Sequence, residues 1–485
     1  MSSRRRTAHS GRQQEGQILV LFVLSLVVLL SVGALLLDGA SALVTRRRMQ
    51  NAGDAASLAA ANTLGATGTS HLCSNVSSTP PGAPRSDIVA AAIASLATNW
   101  PGFDPANVTV TCPDGWENQA VRVDLHAQSA SYLGAAIGFD APMVSTTSVA
   151  INGQVTGSNY SVVLLDPSNA SWPNGRRGCP AFLISGGPTV RFDGSVMINS
   201  ACTAANGGAL GTNGNSATVT FATGKGLNMV GDYVPGPLTI TPLPLTGKTA
   251  IEDPLLTIEA LNTAAMPVRS ASRLVLNNQT LVLQPGVYTG GIQLRNSSVA
   301  LLRPGIYVMN GGGLDVGAQA SVCSITATSA ATNCNTFATD CPDVTCGVLL
   351  FNKGTANGSG AMGQLTIGAG ATLRLRAYDD RANGNVGFEY RNILIWQDAT
   401  PAASNSYSQP IVQLSGGGNV QISGTVYAPQ AKVLMGGHSG GSGGASVDLL
   451  LQFITWDLEM SGSSAFHFFY NDSDFARPKD YGLIQ

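Results

Sequence analysis

An unbroken apolar run from Ile18 to Leu37 constrains this chain more than any other feature. Its twenty residues, rising ~1.5 Å each in a helix, match the ~30 Å hydrocarbon core of a bilayer. No charge falls inside the run. Arg4, Arg5, Arg6 and Arg12 stand on one side of it, and Asp38 followed by Arg46, Arg47 and Arg48 on the other. A cleavable signal peptide uses a shorter apolar region, although Ala40-Ser41-Ala42 offers the small-residue pattern of a cleavage site. A soluble helix this uniformly apolar needs a large core around it. The sequence favours an uncleaved signal-anchor that crosses once, with lipid as its first partner.

The arginines on the two sides nearly balance, so they do not orient the span. The cysteines are more informative. Cys73, Cys112, Cys179, Cys202, Cys323, Cys334, Cys341 and Cys346 all follow the run. An even set confined to one side fits disulfides in an oxidising compartment. The expected localisation is the cell membrane, amino terminus cytoplasmic, with the long carboxyl-terminal part extracellular or periplasmic.

From Ala42 to Leu64 there is no proline, and Met49, Ala52, Ala55, Ala56, Ala59 and Ala60 form a narrow small-residue stripe at helical spacing. Gln50, Asn51 and Asp54 lie off the stripe, and Gly65 with the following Thr-Gly-Thr-Ser is a natural stop. A continuous helix from Gln17 to Leu64 would be ~70 Å long, with over a third of it beyond the lipid. Periodicity leaves two readings of that projecting part open: a stem that packs on other helices, or a spacer.

Gly16 with the apolar run, Asp38-Gly39, and the stretch Arg48-Met49-Gln50-Asn51-Ala52-Gly53-Asp54-Ala55-Ala56-Ser57-Leu58-Ala59-Ala60-Ala61 resemble the amino-terminal signature of TadE/TadG-like proteins. These belong to the tight-adherence (Flp) pilus-assembly machinery of bacteria. The motif positions are Gly16, Asp38, Gln50, Ala52, Asp54, Ala55 and Leu58. The resemblance implies a membrane-anchored pilus-assembly component whose partners are other pilus-assembly membrane proteins. Pseudopilin members carry a glutamate five residues after the glycine, where a prepilin peptidase cuts; here that residue is Leu21. The chain therefore looks closer to the TadG-type anchors than to processed pseudopilins.

At 485 residues the chain has room for two or three domains. A net charge of −2 gives no electrostatic case for nucleic acid. Charged residues make up 11% against the ~25% of ordinary soluble domains, with Gly, Ser, Thr and Asn in their place. The expected organisation is a cytoplasmic tail over 1–16, the transmembrane helix and stem over 17–65, a small α+β segment over 66–153, and a β-helix-like extracellular domain over 160–485.

In the small segment a Ser/Pro-rich linker, Ser74 to Pro84, precedes an alanine-rich helix over Asp87 to Leu96. Val108 to Cys112, Ala120 to Gln128 and Met143 to Ile151 read as strands, with a helical turn over Ser131 to Ile137. A stem helix followed by a helix and antiparallel strands is a pilin-like plan. Cys73 and Cys112 bracket it, and a bridge between them would close a loop of about 40 residues worth ~3–4 kcal/mol. His126 has no partner in the sequence and reads as a surface or packed histidine.

Beyond Tyr160 the chain is a succession of short strands. Leu283-Gln284-Pro285-Gly286-Val287-Tyr288 recurs as Leu302-Arg303-Pro304-Gly305-Ile306-Tyr307, 19 residues later. A repeat near 20 residues with very short strands points to a right-handed parallel β-helix; a β-sandwich is the alternative. The class is mainly β. Softer matches to TadG-like β-helical parts include Cys179 to Ile184 and Gly424 to Pro429. Cys179 and Cys202 are placed to pair across one coil, and Cys323, Cys334, Cys341 and Cys346 to close an inserted loop. Their spacings of 10, 6 and 4 residues lack the paired knuckles of a zinc site, so no metal is expected.

A β-helix also hosts carbohydrate chemistry, which makes a glycan-binding or carbohydrate-active surface protein the alternative function. The acids available are Asp379-Asp380 beside Arg381, with Asp193, Asp232 and Asp315 standing singly. Asp166-Pro167-Ser168-Asn169-Ala170 lacks the second serine of a von Willebrand A metal site, Gly311 to Asp315 holds a single incomplete calcium-type turn, and His438 lies in a glycine loop. No nucleotide or hydrolase motif is present. The expectation is a non-enzymatic protein with no cofactor, and surface glycans as possible ligands.

Overall fold

The computed structural model describes residues 15–484 apart from 66–71, 75–82, 115, 117, 133, 136–137, 139, 154–159, 170–178, 215, 235, 259–260, 355–361, 380–389, 399–411, 416–419, 438–446, 463–464, 472–473 and 478–479. Asp380, Arg381 and His438, and most of the Ser74 to Pro84 linker, lie outside the described residues. The chain forms two compact units, Met1–Gly153 with Tyr481–Gln485, and Gln154–Asp480.

In the first unit the apolar run and its alanine-rich continuation are one helix, α1 (Glu15–Asn62). A second helix, α2 (Ser86–Asn99), buries Ile88, Ala92 and Leu96 at helical spacing. Strands β1 (Val108–Thr111), β2 (Ala120–Gln128) and β3 (Met143–Gly153) form an antiparallel sheet. The carboxyl-terminal strand Asp480–Leu483 adds to β3, and Ile484 N–H donates to Val149 O at 2.9 Å. Val121, Val123 and Leu125 alternate onto the inner face of β2 and meet Met49, Ala52, Ala56 and Ala60 of α1 and the apolar side of α2. Cys73 and Cys112 pair, 39 residues apart. His126 is exposed on β2.

The small-residue stripe of α1 is therefore neither a free surface nor a spacer. It is the core of the chain's own small unit. Alanine and glycine let the helix axis approach the sheet closely: a Cβ on Gly53 would stand 2.8 Å from Ser148 Oγ.

The second unit is a coil of parallel strands in three faces. The first face runs through Val268–Ser270, Gly286–Thr289, Gly305–Asn310, Val348–Lys353 and Ile393–Gln397. The second takes Leu274–Asn277, Ile292–Arg295, Leu314–Val316, Leu365–Ile367 and Val412–Leu414. The third takes Thr280–Leu283, Val299–Leu302, Ser321–Ser324 and Thr372–Arg376. Two long strands, Val420–Gly437 and Val447–Gly462, each bend through all three faces. Each strand from Val268–Ser270 to Thr372–Arg376 thus pairs with the third one after it, the pairing a parallel β-helix requires. Every pairing among the described strands of this unit is parallel, which leaves no place for an antiparallel β-sandwich.

The 19-residue repeat marks successive coils. Tyr288 O–H donates to Gln284 O and Tyr307 O–H to Arg303 O, at 2.7 and 2.8 Å, and the two rings stack with centroids 6.0 Å apart. Gly286 and Gly305 have φ of 145° and 135°, backbone that L side chains avoid. The ladder there pairs Gly286 with Tyr307, an offset of 21 rather than 19. A slip of two keeps every side chain on its face.

The order of the coils does not follow the chain. Residues 160–241 form coils of their own through Tyr160–Leu164, Phe182–Gly186 and Thr189–Phe192, and these stack beyond the last coil of 268–468. Phe453 pairs with Val162, Leu458 with Phe182, and Phe468 with Phe192. The joint is filled by the stacked rings of Phe468 and Phe192, 4.8 Å apart, with Phe221 next at 5.6 Å.

The connecting segment 242–267 then runs back along the outside of the first face as a strap. Ile251 exchanges two hydrogen bonds with Asn199, Asp253 accepts from Tyr427 O–H at 2.7 Å, and Thr263 accepts from Lys353 Nζ at 3.0 Å. Leu255, Ile258, Leu261 and Met266 cover the outward Val308, Leu349, Phe351 and Trp396. That face is apolar on both sides because the strap buries its outer one.

Disulfides join Cys179 with Cys202, Cys323 with Cys334, and Cys341 with Cys346, which leaves no free cysteine among the described residues. Arg374 and Arg376 point outward, alternating with buried Leu373 and Leu375. They donate to Cys334 O and Cys341 O at 2.7 and 3.0 Å, holding the inserted loop against the coil.

Candidate functional site: the anchor helix and its socket

From Leu19 to Leu37 the leucines, valines and phenylalanine of α1 are exposed all round the helix; Leu21 is 66% exposed. A helix apolar on every side belongs in lipid, and α1 is the one described helix long and apolar enough to cross a bilayer. Gly16 lies in its first turn.

The span ends at a polar clasp. Asp38 accepts from Tyr132 N–H at 2.7 Å, Gly134 N–H at 2.8 Å and Ser131 O–H at 3.0 Å, which fixes the loop between β2 and β3 against the helix. Three turns on, Gln50 Nε2 donates to Asp54 Oδ1 at 2.8 Å and to Ser148 Oγ at 3.1 Å, while Ser148 O–H donates to Asp54 Oδ1 at 2.7 Å. Asn152 Nδ2 closes the far end on Ala61 O at 3.0 Å. Ala52 is buried, Ala55 is half-buried, and Leu58 packs on the edge of the core, its carbonyl accepting from Tyr481 O–H at 3.1 Å. The motif positions from Asp38 to Leu58 thus fasten the helix to the domain it carries.

Residues 16–63 match a family model described as "Putative Flp pilus-assembly TadE/G-like". The anchor segment is TadE/G-like. The match covers the membrane span and the socketed part of α1 and ends one residue past it. No curated protein and no solved structure matches the chain.

Outside this TadE/G-like segment the acids singled out from the sequence do not converge. Asp193 pairs with Arg191 at 3.1 Å and His467 at 3.0 Å on the outer surface. Asp315, beyond the Gly311–Gly313 turn, accepts from Gln293 at 2.7 Å with Arg273 at 3.9 Å. Asp232 is exposed, and Asp379 is buried with Arg391 at 3.8 Å. Asp166 caps its own turn by accepting from Ser168 N–H at 2.8 Å and from the Ser168 hydroxyl. Among the described residues no group of three or more metal-ligating side chains gathers.

Sequence reasoning missed two elements that matter here: the clasp loop at Asp38 and the strap. The clasp left only the isolated acid after an apolar run as a signal. The strap carried Ile251, Leu255, Ile258 and Leu261 at near-helical spacing, and part of it lies in turns.

Proposed function

We propose that this chain is a non-enzymatic, uncleaved, single-pass anchor of Flp/Tad-type pilus assembly or surface adhesion, its amino terminus cytoplasmic and its coiled β-unit displayed outside the membrane. The observation that carries this is the coincidence of the TadE/G-like match with the span and socket of α1. Four disulfides support an oxidising compartment for the carboxyl-terminal part. Because the small-residue stripe is buried in the first unit, partners would be met through the lipid-facing side of the span or through the β-unit. The test is co-purification of the full-length protein from its native membrane, together with protease accessibility in spheroplasts, where an extracellular and a periplasmic face are both open to the enzyme. Recovery of other pilus-assembly membrane proteins and external cleavage of the β-unit are expected. A β-unit shielded from external protease, or recovery of none of those proteins, would sink the reading; binding on a glycan array in their place would favour a glycan receptor.

A further inference from the structure

Where α1 leaves the apolar run, a groove of about 640 Å³ opens between the helix and β3, lined by Leu43, Arg46, Arg47, Gln50, Ser145, Thr146 and Thr147. Arg46, Arg47 and Arg48 are exposed, and none has an ion pair among the described residues. Of the acids bonded to its lining residues, Asp124 pairs with Arg122 at 2.8 Å and accepts from the Thr147 hydroxyl, while Asp54 accepts from the neutral Gln50 and Ser148. Arg46, Arg47 and Arg48 outnumber Asp54, so the groove carries net positive charge.

The position says what arrives. Leu43 stands six residues past Leu37, ~9 Å along the axis, just beyond a headgroup layer ~7 Å deep. Arg46 and Arg47 follow one turn later. Side chains on a helix tilt toward its amino terminus, which here is the membrane side, and arginine stems reach further in that direction. Between the groove and the lipid the chain also offers apolar groups. Tyr132, on the loop that Asp38 clasps, is 68% exposed, and Met143, at the membrane end of β3, is 64% exposed. Tyrosine at such a level is an interfacial anchor.

We infer that the membrane-facing mouth of this groove seats the phosphate headgroup of an anionic phospholipid from the leaflet at which the domain emerges, with the Arg46 and Arg47 side chains reaching back toward the lipid to meet the phosphate. It rests on α1 spanning the membrane and not on any pilus role. The lipid is held against the emerging helix, which fixes the height of the first unit above the bilayer.

The test uses the full-length protein in a neutral detergent, with lipid retention read by native mass spectrometry. Phosphatidylglycerol retained at least about tenfold better than phosphatidylcholine is expected from two basic residues at an anionic headgroup. Arg46→Gln with Arg47→Gln should abolish that preference, and Arg46→Lys with Arg47→Lys should keep most of it. Membrane extraction and circular dichroism of each variant report separately whether anchor and fold survive. Equal retention of the two lipids, or an unchanged preference in the double glutamine variant, would overturn the inference. So would competition by millimolar inorganic phosphate with no lipid retained, which would make the groove a site for soluble anions.

Discussion

At the scale of single residues, close approach and burial decide which positions of α1 are replaceable. Gly53 faces Ser148 Oγ at a distance where a methyl group has no room. Gly53→Val should therefore loosen the helix from β3 at a cost of ~1–3 kcal/mol, read as faster hydrogen exchange across β3 with the span still inserted. Asp253 behaves differently. Burial raises its pKa above the ordinary 3.8, against the lowering hydrogen bonds from Leu255 N–H and Tyr427 O–H. The folded chain thus holds that proton more tightly than the unfolded chain. The stability it contributes is fully present below the ordinary value and is lost as pH rises through the raised one. Tyr427→Phe removes one of the two donors to a buried carboxylate, so it should cost ~1–3 kcal/mol near neutral pH and less below the ordinary value of 3.8, where an acid of raised pKa is protonated. Thermal melts at the two pH values check this, and an equal loss at both would refute it.

Among the elements, α1 carries two contradictory demands on one continuous helix. Its first half must be apolar all round, and its second half must be small on one side only. The second half supplies Met49, Ala52, Ala56 and Ala60, and the turn after it Leu64, to the core shared with α2 and β2. A chain beginning at Ala42 should fold and dissolve without detergent. One beginning at Gly65 should expose the inner faces of α2 and β2 and aggregate, so a folded small unit in that second chain would contradict the socket. Replacing Cys73 and Cys112 together by serine should cost the same unit ~3–4 kcal/mol, from the loop entropy their bridge removes; a denaturant midpoint left unchanged would refute it. The groove beside Arg46 belongs to this scale as well, because it exists only where β3 lies along the helix.

For the whole molecule, the β-unit closes by stacking its first coils beyond its last. A fragment 268–468 lacks the coils of 160–241 and the strap. It would leave the edge at Ala465–Phe468 and the outer faces of Val308, Phe351 and Trp396 uncovered, and such edges associate. That fragment should aggregate while 160–480 stays monomeric by light scattering. Cleavage inside 242–267 should destabilise the first face before the other two, seen as exchange at Gly305–Asn310 ahead of Ser321–Ser324.

Much of this was legible in one dimension, and for a physical reason. Span length, strand alternation, the Pro-Gly-x-Tyr turns and the cysteine spacing are local properties, written within a few residues of where they act. The apolar run favoured a helix in lipid, where a helical backbone satisfies its own hydrogen bonds. The repeat favoured a parallel coil over a β-sandwich, since strands so short gain a core by stacking. What the alanine stripe would pack against was not local. Neither was the place of 160–241 in the stack, nor the purpose of the doubly apolar first face. Each depended on a partner surface tens to hundreds of residues away, and only the folded chain supplied it: β2 and α2 for the stripe, Phe453 to Phe468 for the first coil, and the strap for the outer face.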